Sequence, residues 1–120
     1  MAIYHEPKHL GDVLLVEVAR GWTKDRATFA QHADVYEVGT VLSLVGGKVV
    51  RYDPSKSTAP AAVAAERVNA TAADRPGVVI ARGAAVAQAA LAWPEGFTDE
   101  QIATGIKRLA DRGIVARETL

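Results

Sequence analysis

Glu37-Val38-Gly39-Thr40-Val41-Leu42-Ser43-Leu44-Val45-Gly46-Gly47-Lys48-Val49-Val50-Arg51-Tyr52-Asp53 is the stretch that decides the fold. Val41 to Val45 is an apolar run, and Lys48 to Tyr52 is its return partner. Gly46-Gly47 between them is a two-residue hairpin signal, because glycine reaches positive φ at both central positions without strain. Asp53-Pro54-Ser55 ends the second strand, since proline cannot extend a ladder and presets a turn. Outward from this hairpin, the chain is a series of short apolar runs separated by turn residues. The expected class is mainly β with small α elements.

Downstream, Ala59 to Val68 is ambiguous. Its alanines favour helix, but the run is short and contains Pro60. Asn69 to Gly77 is turn-rich. Val78-Val79-Ile80-Ala81-Arg82 is β-branched, lies between Gly77 and Gly83, and predicts a strand. Ala84 to Leu91 predicts a strand passing into a helical turn. Leu91-Ala92-Trp93-Pro94 then leaves the sheet, with proline holding Trp93 extended.

A helix follows. Thr98 and Gln101 form a capping-box pattern. Asp99 and Glu100 stand in the first turn, and Lys107, Arg108 and Arg112 come late, which suits the helix dipole. Ile102, Ile106 and Leu109 give one buried face. Gly113 supplies the stop, and Ile114-Val115-Ala116 predicts a last strand.

Upstream, Asp12 to Val18 predicts a strand by its β-branched content. Thr23-Lys24-Asp25-Arg26 reads as a turn, Ala27-Thr28-Phe29 as a short strand, and Gln31 to Tyr36 as a polar connection. Residues 1–11 show no period and are expected to form a flexible N-terminal arm. Residues 12–120 are expected to form one domain.

The 120 residues are 49% hydrophobic, enough for a modest core, but much of that share is alanine, which buries little area. Thin layers of this kind suit completion by another subunit. Lys plus Arg and Asp plus Glu both number 14, so the formal charge is zero. A phosphate-driven nucleic-acid binder needs a basic surplus, so nucleic acid is not an expected partner. The absence of cysteine excludes disulfides and thiol catalysis. No apolar run approaches the roughly 18 residues of a membrane span, and the polar N-terminus is unlike a signal peptide. A membrane is therefore not expected either, and synthesis inside the cell is.

The groups that carry chemistry are sparse. His5 and His9 are four apart, the spacing of a metal pair on a helix. Pro7 lies between them, so solvated histidines are expected there and at His32. Glu95, Asp99 and Glu100 cluster where a helix dipole explains them. There is no Gly-x-Ser-x-Gly elbow, no dinucleotide fingerprint and no Walker loop. No catalytic residue, cofactor or metal site is expected. Trp93-Pro94 reads as a core tryptophan with an extended exit, or as an interface anchor. Trp22 suits core or partner contact.

The order Glu37-Val38-Gly39-Thr40-Val41-Leu42, Gly47 to Pro54, Val68-Asn69-Ala70-Thr71, Val78 to Gly83 and Leu91-Ala92-Trp93-Pro94, followed by a capped helix and Gly113-Ile114-Val115, resembles the bacteriophage head decoration proteins of the lambdoid type. The likeness runs from about Ala27 to Arg117. It implies a compact β-clip-like domain and a non-enzymatic role. It implies a homotrimer on local threefold axes of the expanded head, on the outer surface of the virion, bound to the major capsid protein and stabilising it against DNA pressure. It also implies that the N-terminal arm orders on the coat. Ile3, Tyr4, His5 and Leu10 are the expected capsid-binding residues by position, and Trp93 and Pro94 the expected structural support of the trimer. Two other classes fit the residues: a small ligand-binding or carrier-like β domain, which needs a deep apolar pocket with convergent polar groups, and a metal enzyme using His5, His9 and His32.

Overall fold

The computed structural model describes residues 9–53 and 59–118. Its strands form two sheets, one a closed barrel and the other a three-stranded layer beside it.

The barrel has strand order β2-β4-β3-β5-β6, comprising β2 (Lys24–Phe29), β3 (Val41–Val45), β4 (Lys48–Arg51), β5 (Ala62–Ala64) and β6 (Arg75–Ile80). The β3–β4 hairpin is as the sequence predicts. Val45 pairs with Lys48 around Gly46 and Gly47, whose φ values are 58° and 81°. The preceding turn is held by Thr40, whose hydroxyl donates to Glu37 O at 2.7 Å. Pro54 and Ser55 lie outside the described residues.

The second sheet has order β1-β7-β8, from β1 (Leu14–Glu17), β7 (Ala84–Ala87) and β8 (Ile114–Arg117). β7 and β8 are parallel, so a crossover must join them. A single 3-10 turn (Gln88–Ala90) and α3 (Asp99–Asp111) make that crossover. α3 starts as predicted: Thr98 Oγ1 accepts from Gln101 N–H at 3.1 Å, and Gln101 Oε1 accepts from Thr98 N–H at 2.9 Å.

Period-two alternation feeds two cores. Val41, Val63 and Ile80 turn towards the three-stranded sheet, where they meet Val13, Val86, Leu109 and Ile114. Their neighbours Leu42, Ala62, Ala64 and Val79 turn into the barrel, with Phe29, Tyr36 and Val49. A five-stranded barrel has a narrow interior, and alanines fit it. Gly77 serves the same end: a Cβ there would lie 2.7 Å from the Phe29 ring.

Several boundaries differ from the sequence expectation. The strand expected at 12–18 is shorter, because a helical turn, α1 (Leu10–Val13), precedes it. Another helical turn, α2 (Arg20–Thr23), precedes β2. Thr23 to Arg26 is not a turn, since β2 begins at Lys24 and pairs with β6 from Lys24–Ile80 to Phe29–Arg75. β6 correspondingly starts at Arg75 rather than Val78. Pro76 is tolerated there because β5 pairs with β6 only at Val79 and Ile80, so the other side of Pro76 has no strand to bond. The ambiguous alanine run resolves as β5, because its residues line the barrel and the sheet interface alternately.

Candidate interaction surface

The proposed arm residues Ile3, Tyr4 and His5 lie outside the described residues. Leu10 is described, and it opens α1 and packs against the core beside Val13 and Leu14. Asp12 holds this turn by accepting from His9 N–H at 2.9 Å. The chain is therefore anchored from His9 onward.

Trp93 sits between barrel and helix. Its ring stacks on Phe97 with centroids 5.9 Å apart and meets Tyr52 edge-on at 6.3 Å. Its far side lies on Gly105, where a Cβ would stand 2.5 Å from the ring. Trp93 thus joins α3 to β4 within one chain. Pro94, half-buried, borders a groove beside Tyr52 and Val45.

Several large apolar side chains are left in solvent. Val18 is 69% exposed, Leu44 58% and Trp22 52%; Leu15, Val16, Val45 and Val115 join them. Single exposed apolar residues are ordinary, but a contiguous set marks an interaction surface. Trp22 and Leu44 both line a cavity of about 800 Å³ beside the barrel, together with Ala27, Ala62, Val79 and Ala81. The Trp22 ring also covers Gly83, which has no room for a side chain. Sequence reasoning left Trp22 between core and partner contact, and the structure places it at the surface. The signal for Leu44 and Val45 was present in the hairpin: both faces of its tip are apolar, where a solvated tip carries polar residues.

The charged groups near this surface satisfy one another. Arg82 bonds both carboxylate oxygens of Asp25 and stacks 5.9 Å from the Trp22 ring. The hydrogen bond from Arg82 holds the Asp25 carboxyl below its ordinary value, and the Arg82 guanidinium rises correspondingly. On the far side Lys48 bonds Asp74 at 2.5 Å, and Asp74 also accepts from Gln31 N–H at 2.8 Å. These bonds lower Asp74, the Lys48 bond contributing most. Tyr36, whose hydroxyl donates to Ala30 O at 2.7 Å, is pushed up by burial.

His32 and His9 stand apart in these roles: His32 Nδ1 accepts from Asp34 N–H, and His9 begins α1. Among the described residues, no three His, Cys, Asp or Glu side chains converge as metal ligands. No described helix is long and apolar enough to cross a membrane.

The fold is a small barrel with a flanking three-stranded sheet, and several of its large apolar side chains stand exposed. The family model for bacteriophage lambda head decoration protein D matches residues 3–114 of the 120, and the chain belongs to that family. Curated proteins return no match to the chain. The chain is thus a phage head decoration protein. Its partner is the phage capsid, its place is the virion, and the family is a structural one.

Proposed function

We propose that this protein cements the expanded phage head: it binds the outer surface as a homotrimer at local threefold positions and stabilises the lattice against internal DNA pressure. The family match across nearly the whole chain carries this reading. The apolar exterior agrees with it, because Val18, Trp22 and Leu44 are exposed among the described residues and an assembly would cover them. A ligand that binds only the expanded lattice stabilises that lattice by mass action. Zero formal charge suits a protein target and puts no net repulsion between copies.

The coat-binding element is the segment from Met1 to Lys8, with Ile3, Tyr4 and His5 as contacts to the major capsid protein, whose sheet edges an extended arm can join through main-chain hydrogen bonds. Leu10 anchors that segment, because it packs on the core of its own chain. Trp93 and Pro94 support the trimer indirectly by fixing α3 against β4. Synthesis is in the host cytoplasm.

The test is co-sedimentation with mature, expanded capsids of the encoding phage, using the full chain and a version lacking Met1 to Lys8. Saturable binding that the truncation weakens supports both parts of the proposal. Equal binding by both removes the arm from it. Absence of binding by either, with intact capsids, overturns it.

A further inference from the structure

The barrel closes between β2 and β4 at one residue pair, Phe29 with Val49. The hairpin register fixes where the next main-chain groups point. Tyr52 N–H donates to Val41 O at 2.9 Å, so Val50 and Lys48, two and four residues back, also turn their polar groups towards β3. Val49 and Arg51 turn theirs the other way. Val49 O accepts from Ala30 N–H at 2.9 Å. Arg51 lies beyond that pair, and among the described residues no main chain bonds to it across this edge.

The Arg51 side chain repeats the pattern. One of its Nη atoms donates to Val35 O at 2.6 Å, and the guanidinium lies 5.4 Å from the Tyr36 centroid. Its Nε is buried and has no hydrogen-bond partner. A cavity of about 420 Å³ opens here, walled by Tyr36, Val45, Val50, Tyr52 and Pro94. His32 faces it, and because its Nδ1 accepts from Asp34, the neutral ring carries its proton on Nε2 as a further donor. These donors, together with the unbonded main chain of Arg51, suit an extended main chain with carbonyl acceptors and apolar side chains.

This chain carries such a segment. β1 pairs with β7 on one side, and among the described residues no strand covers its other edge. Leu15 and Val16 are exposed on it, with Val18 just beyond. Its acid, Glu17, is already paired with Lys24 at 3.5 Å. We infer that the open edge of β4 at Arg51 receives β1 of a neighbouring copy. The inference rests on the trimeric reading above and supplies its contact. Socket and strand are different surfaces of one chain, so the contact is heterologous, and a rotation of a third of a turn closes it into a ring. An apolar edge strand left open invites pairing of this kind.

The absence of cysteine makes the test clean. β1 is irregular between Leu14 and Val16, so a panel covers the alternative registers. Leu15→Cys, Val16→Cys and Val18→Cys are each combined in one chain with Val50→Cys, then oxidised in solution and on capsids. The expected result for at least one pair is a covalent ladder on a non-reducing gel that stops at three. Each single-cysteine variant should remain uncrosslinked. In the wild-type assembly the Arg51 amide should exchange with solvent at least ~10-fold more slowly than in the dilute monomer. No ladder from any pair in either setting, or an unchanged Arg51 amide in a proven trimer, overturns the contact. Failure of the wild-type chain to sediment with capsids overturns the decoration reading instead, and the ladder in solution still decides the strand contact.

Discussion

The Trp93 ring packs against Gly105, close enough that a single added carbon at position 105 would stand 2.5 Å from it. Helix propensity alone makes Gly105→Ala stabilising by about 1 kcal/mol. Overpacking against a held aromatic ring costs about 1–3 kcal/mol. Trp93 is held by Phe97 and Tyr52, so the second effect prevails. Gly105→Ala should lower the denaturation midpoint without changing the slope of the transition. Combining it with Trp93→Leu should recover part of the loss relative to the sum of the single changes, read as a double-mutant cycle in urea.

Thr98→Ala removes one half of the capping box that starts α3. The expected cost is about 1 kcal/mol. Because α3 joins the parallel strands β7 and β8, amide exchange in Ile114 to Arg117 should accelerate together with that of the first helical turn. Acceleration confined to the helix would show that β8 does not depend on it.

Gly46 and Gly47 have open space around them but positive φ. Substitution there is resisted by the backbone alone. Gly46→Ala should cost about 1–2 kcal/mol, and Gly46→Asn much less, since asparagine tolerates the left-handed region. Thermal denaturation of the two variants checks the order, and equal losses would contradict it.

Asp25 and Asp74 are both held below the ordinary carboxylate range, by bonds from Arg82 and Lys48 respectively. A depressed folded-state value contributes stability that is present above the unfolded pKa of about 4 and is lost as pH falls through the folded one. The melting temperature should therefore decline on acidification below about pH 4. Asp25→Asn and Asp74→Asn should each flatten that decline. Both pairs are exposed, so high salt should shrink the difference between each variant and the parent.

The hairpin, β7 and α3 were legible in the sequence because their signals are local: a Gly-Gly turn, a β-branched or alanine run, a capping box. α1 and α2 were not, since four residues are too few to show a helical period. Ala27 to Phe29 read as a strand, but the first half of β2 read as a turn because Lys24, Asp25 and Arg26 are polar; what makes it a strand is its main-chain ladder to β6, about fifty residues away. The interaction surface was legible only in part. Trp22 and Trp93 were both singled out, but only the fold shows that Trp93 faces inward and Trp22 outward. Leu44 and Val45 stood in the apolar run from Val41 to Val45, and only the fold shows that this run passes from the core at Val41 and Leu42 into solvent at its tip.

The alternation along β3, β5 and β6 has a consequence for cooperativity. Val41 and Leu42, or Val79 and Ile80, are adjacent in the chain yet belong to different cores. A strand that slipped by one residue would empty both cores at once. Neither the barrel nor the flanking sheet can loosen while its neighbour stays intact, so the protein should melt in one step, and a load carried by either layer is borne by the whole.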